Sequence, residues 1–120
     1  MMHNDINAIF HNDIGIAFLW KDQTAKKNGK IQLVFRDTGL LLNKKELVDF
    51  SQDIKKAIKT QPFRSDCKQN KNCRALLLET PFPQISFAIS HTELSAVEEL
   101  VDGTLFQLNL DVYLSKVFGK

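Results

Sequence analysis

The sequence predicts an α+β fold: an antiparallel sheet made from an N-terminal hairpin and two β-hairpin–α-helix repeats, with the helices packed on one face. The strongest observation is a repeat. Leu40-Leu41-Leu42-Asn43-Lys44-Lys45-Glu46-Leu47 and Phe87-Ala88-Ile89-Ser90-His91-Thr92-Glu93-Leu94 align at a constant offset. In each, three apolar strand residues run into a capping side chain, Asn43 or Ser90, with Glu46 or Glu93 three positions on. That is a capping box: the cap oxygen accepts from the third helical N–H and the glutamate reaches back to the cap's own N–H. A second apolar run precedes each unit, at 31–35 and 75–78, so both read strand, turn, strand, helix. The register continues into the helices, where Leu47, Phe50 and Ile54 match Leu94, Val97 and Val101. The expected organisation is one domain over 1–120, with repeats at 30–60 and 74–102 related by an approximate two-fold and a helical extension at 103–118.

At the N-terminus, His3-Asn4-Asp5-Ile6 is echoed by His11-Asn12-Asp13-Ile14. Asn and Asp close turns through their side chains. The predicted hairpin pairs 7–10 with 14–20, turning at Asn12-Asp13. Residues 21–29 read as a polar loop with a turn at Asn28-Gly29. Ile31, Leu33 and Phe35 alternate with Lys30, Gln32 and Arg36, the pattern of a half-buried strand. Asp37-Thr38-Gly39 is expected to turn it back into 40–42. The first helix then runs from 44 to about 60, burying Leu47, Phe50, Ile54, Ala57 and Ile58. Lys55, Lys56 and Lys59 suit its negative C-terminal end, and Gln61-Pro62 stops it.

Residues 62–72 form a polar surface loop by composition. The second hairpin joins 74–80 to 84–89 through Pro81-Phe82-Pro83, two prolines that deny ladder donors and predict a rigid protrusion with Phe82 exposed at its tip. From Thr92 the apolar spacing Leu94, Val97, Val101, Leu105, Leu108, Val112 continues straight through Gly103. A second stripe, Ala96, Leu100, Gly103, Gln107, Leu110, Leu114, Val117, does the same. One long helix, or two kinked at Gly103, accommodates both stripes. A strand over 106–114 also alternates, but it leaves Leu105 and Tyr113 on the polar face. A helix apolar on two faces is buried deeply or shared with another subunit, and the core of a 120-residue domain is small. Leu100, Gly103, Leu110, Leu114 and Val117 are therefore the candidate dimer interface.

Charge narrows the function classes. Residues 1–74 hold 14 of the 16 basic residues, a net charge of +6, whereas 75–115 hold six acids and no base. Such asymmetry bears on association rather than fold. Lys55, Lys56, Lys59, Arg64, Lys68, Lys71 and Arg74 share their segment with one acid, Asp66, and form a candidate surface for an anionic partner, including nucleic acid. Stacking on single strands would also need aromatics there, and Phe63 alone lies within the run. A charge run of this kind is ordinarily a solvated face.

No nucleophile elbow, Walker A loop or dinucleotide-binding glycine motif occurs. His91 falls at the first position of a helix. His3, Asp5, His11 and Asp13 are residue types that bind a divalent metal, but turn formation ahead of strands is the favoured account of them, and no metal site is expected. Cys67 and Cys73 could close a disulfide across their loop; two reduced thiols are the expectation for the cytoplasm, where the chain is placed by default. No stretch approaches a membrane span, and residues 1–5 have neither the basic nor the apolar region of a secretory signal.

Ile31-Gln32-Leu33-Val34-Phe35, then residues 40–46, then Thr80-Pro81 with residues 85–93, resemble a family of small uncharacterised proteins of Bacteroidetes. The resemblance spans about residues 8–102. Members of that family often carry a Cys-x-x-Cys ahead of the Leu-Val-Phe strand, where this chain has Phe18-Leu19-Trp20 and a lysine-rich loop, so a metal role does not carry over. The resulting expectation is a non-enzymatic binding or scaffolding module without a cofactor, acting as a homodimer towards an unidentified protein partner. Nucleic-acid binding through 55–74 is the alternative.

Overall fold

The computed structural model describes residues 6–21, 29–60 and 76–118. Within them the chain forms β1 (Ile6–His11), β2 (Gly15–Trp20), β3 (Ile31–Phe35), β4 (Thr38–Leu42), α1 (Lys44–Thr60), β5 (Leu76–Glu79), β6 (Ser86–Ile89) and α2 (His91–Phe118). The fold is α+β. Strands β1 to β4 make an antiparallel meander in chain order, while β5 and β6 pair only with each other among the described residues.

The second hairpin thus does not lengthen the first sheet as expected from the sequence. Arg36 provides part of the physical reason. Its Nη1 donates to the Ala88 carbonyl oxygen at 2.8 Å, so a side chain rather than a fifth strand satisfies this β6 acceptor. Arg36 also approaches Glu93 at 4.0 Å, tying the β3–β4 turn to the start of α2. The turn itself is shorter than predicted. Thr38 and Gly39 pair with Phe35 and Val34, leaving Arg36 and Asp37 as a two-residue connection in which Arg36 takes φ 55. Two-residue hairpins need positive φ to match the twist of their strands; the cost for a non-glycine residue is offset here by the two contacts of the guanidinium.

Both capping boxes are present. Glu46 N donates to Asn43 Oδ1 at 2.7 Å and Asn43 N to Glu46 Oε1 at 2.9 Å. Glu93 N donates to Ser90 Oγ at 3.0 Å and Ser90 N to Glu93 Oε1 at 3.0 Å. Each cap satisfies two backbone donors that the helix cannot satisfy itself. Asn43→Ala and Ser90→Ala should each cost about 1 kcal/mol in urea melts. The loss should be larger at Ser90, which is 1% exposed, because its unpaired neighbours would have no water to turn to.

The core lies where the two hairpin–helix units meet. Ile31, Leu33 and Phe35 from β3, Leu40 and Leu42 from β4, Leu47, Phe50 and Ile54 from α1, Leu76 and Leu78 from β5, and Leu94, Val97, Leu100 and Val101 from α2 are all buried in it. Helix α2 lies against β1 and β2, α1 lies against β4 and β5, and the helices touch each other. Phe35 meets Phe87 at 4.9 Å between ring centres, joining the two hairpins. Phe18 is buried outside this cluster, edge-on to Trp20 at 5.1 Å. Phe82 is not an exposed tip: it packs against the core. Thr80 Oγ1 accepts from Phe82 N at 3.1 Å and Ile85 N donates to Phe82 O at 2.9 Å, so the proline-flanked join folds inwards.

Candidate functional site

Helix α2 is unbroken through Gly103 and, among the described residues, outruns the elements packed beside it. Polar contacts from three α1 residues show that α1 runs antiparallel to it. Lys55 Nζ reaches Asp102 at 3.0 Å and Glu98 at 3.8 Å, Ser51 Oγ donates to Asp102 at 3.3 Å, and Lys44 Nζ donates to Asn109 Oδ1 at 2.9 Å. Lys44 is the first residue of α1, so α1 has no residue to place alongside 110–118. At 1.5 Å per residue that overhang is about 13 Å long.

The opposite flank is held by the N-terminal hairpin. Asn12 Oδ1 accepts from Ile14 N and Gly15 N at 3.1 and 3.3 Å, while its Nδ2 donates to Ala96 O and Glu99 Oε1, both at 2.8 Å. One extra residue in β1 shifts its register between Ala8 and Phe10. A bulge re-aims the side chains that follow it, and the Phe10 ring lies over Gly103, where an added Cβ would fall 2.5–2.6 Å from ring carbons.

As far as Asn109, with α1 and β1 on its flanks and the core behind it, α2 keeps one outward face; over 111–117 every residue is exposed, Val112 at 49% included. Reading along that face in steps of three and four gives Ser95, Glu99, Asp102, Phe106, Leu110, Tyr113 and Val117. The face changes chemistry at Phe106. Before it every residue is polar, as a solvated stripe requires; from it onward every residue is apolar. Phe106 is 67% exposed, Tyr113 62%, Val117 53% and the adjacent Leu114 39%. Phe106 and Tyr113 alone leave on the order of 250 Å² of ring surface in water.

Of the five residues expected at a dimer interface, Leu110, Leu114 and Val117 lie on or beside this stripe. Leu100 does not: it is 0% exposed in the chain's own core, because α2 packs against the strands as well as against α1. Gly103 is covered by Phe10, so the close approach it permits is taken by β1. Phe106 and Tyr113 are the residues that reasoning from the sequence missed. The polar stretch Ser95, Glu99, Asp102 marks which face points outward, and extending its period would have reached both.

The basic segment is described only in part. Lys55 is engaged with Asp102 and Glu98. Lys56 and Lys59 border, with Gln52 and Lys55, an open surface hollow of about 320 Å³. Burial, then the Glu79 and Asp49 carboxylates, push the Asp53 carboxyl above its usual range, with Lys56 acting in the other direction. Arg64, Lys68, Lys71 and Arg74 lie outside the described residues, as do Cys67, Cys73, His3 and Asp5. His11 and Asp13 are exposed. Among the described residues no three His, Cys, Asp or Glu side chains stand together as a metal site, and no helix is long and apolar enough to cross a membrane. No protein-family model, curated protein or solved structure matches the chain.

Proposed function

We propose that this chain is a non-enzymatic binding or scaffolding module that acts as a cytoplasmic homodimer through the C-terminal half of α2. One observation supports the reading above the others: the outward face of α2 turns from polar to apolar at Phe106, beyond the reach of α1. Isolated exposed apolar residues are ordinary, but a contiguous stripe of aromatic and aliphatic side chains is characteristic of an interaction surface. Aromatic residues held on a rigid helix are also the usual anchors of protein interfaces. A two-fold pair of identical chains is the commonest closed way to cover such a stripe.

The test is the oligomeric state. In sedimentation velocity at micromolar concentration the wild-type chain should run as a dimer. Leu110→Glu/Leu114→Glu should run as a monomer, its dissociation constant raised on the order of 100-fold or more by placing two carboxylates in an apolar seam. The double variant should keep the wild-type unfolding free energy within about 1 kcal/mol at protein concentrations where both are monomeric, since Leu114 is exposed and Leu110 is half-buried outside the core. A monomeric wild type, or a double variant that stays dimeric, rejects the reading.

A further inference from the structure

We infer that the two copies pair antiparallel, over residues 106–118 alone, with the two globular bodies at opposite ends of a short two-helix bridge. This rests on the proposed self-association and adds its partner geometry. Phe106, Leu110, Tyr113 and Val117 are spaced four, three and four apart, the a/d rhythm of two helices that pack knobs into holes. Turned end for end about a two-fold axis between Asp111 and Val112, the stripe is complementary to itself. Phe106 then faces Val117 of the second copy and Leu110 faces Tyr113, so a large side chain meets a smaller one at every level. The apolar length also ends where the helix does. Phe118, the last residue of α2, stands level with residue 105 of the other copy, and the polar stretch Ser95, Glu99, Asp102 stays in water.

A parallel pair would use the stripe differently and worse. Each residue would meet its own copy: Phe106 against Phe106, Tyr113 against Tyr113, and, along the same straight helix, Glu99 against Glu99. Helix axes in contact lie 8–10 Å apart, and like charges brought together across an interface disfavour it by several kcal/mol. The flanks add a steric objection. β1 packs at Gly103 and α1 at Asn109, so a second body placed alongside the first would have to share the space beside this one outward face. In the antiparallel pair only the tip of a helix approaches that region.

Distance between spin labels separates the two arrangements. Ser95 is exposed and lies clear of the proposed seam. Ser95→Cys in a Cys67→Ser/Cys73→Ser background, labelled and measured by double electron–electron resonance, should give a separation of about 50 Å for the antiparallel pair, from 1.5 Å of rise per residue on each side of the axis. A parallel pair should give less than about 20 Å. Adding Leu110→Glu should remove the long distance. A short distance in a chain that sediments as a dimer overturns the antiparallel pairing and leaves the dimer standing. A chain that sediments as a monomer and shows no dipolar modulation overturns both, and a long distance that survives Leu110→Glu places the contact elsewhere and overturns the pairing.

Discussion

Replacing Phe50 with alanine should lower the unfolding free energy by about 3–5 kcal/mol. Phe50 is fully buried in the middle of α1, where the helix meets the strands and α2 in one core. Truncation removes the transfer free energy of the ring and leaves a cavity. The walls of that cavity cannot collapse freely, because Leu47 and Ile54 are held by the same helix and the facing residues by paired strands. Domains of this size have only about 5–15 kcal/mol in total, so the loss takes a large share. A urea melt measures it as a fall in midpoint at unchanged slope. A loss below about 1 kcal/mol would mean that α1 is not packed as described.

Gly15→Ala should cost about 3 kcal/mol, the upper part of the range for forcing an extra methyl group into a packed interior. Gly15 opens β2 and pairs with Phe35. An added Cβ would run into the Val34 carbonyl oxygen and stand 2.8 and 2.9 Å from Phe35 Cβ and Cα. These are backbone atoms and the root of a side chain that is 1% exposed, so relief requires moving a strand rather than turning a rotamer. Gly39→Ala is the internal control. Its nearest neighbour is Gln32 Nε2 at 3.1 Å, the far end of a flexible side chain, and the change should stay within about 1 kcal/mol. Equal losses at the two glycines would reject the close approach of β2 to β3.

Much of the fold was legible because it is written in short-range chemistry. A capping box closes within three residues, an Asx turn within two or three, and a strand's alternation or a helix's period within a single element. Asn43 with Glu46, Ser90 with Glu93, and Asn12 beneath the first hairpin could each be read without knowing what lay across the molecule. The α1 stripe was equally plain, since its apolar residues fall on one face only. Helix α2 was harder. Its two apolar stripes are equivalent in sequence, and nothing local says that Leu100 turns inwards while Phe106, six residues on, stays in water. Arg36 and Phe82 were misplaced for a related reason: each takes its position from a contact distant in the chain, Arg36 from Ala88 and Glu93, Phe82 from the core.

The sequence by itself determined the element order, the helix starts, the turn at Asn12 and the residues able to form a core, because these depend on interactions that span a few residues. Only the tertiary structure decided that the second hairpin forms its own sheet, that Gly103 is filled by Phe10, and that α1 begins level with Asn109. Among the described residues, the last of these leaves Phe106, Tyr113 and Val117 exposed and Leu110 half-buried. Burial depends on what other elements bring to a face, and the same apolar side chains of α2 become core where α1 and the strands accompany the helix and surface where it continues alone.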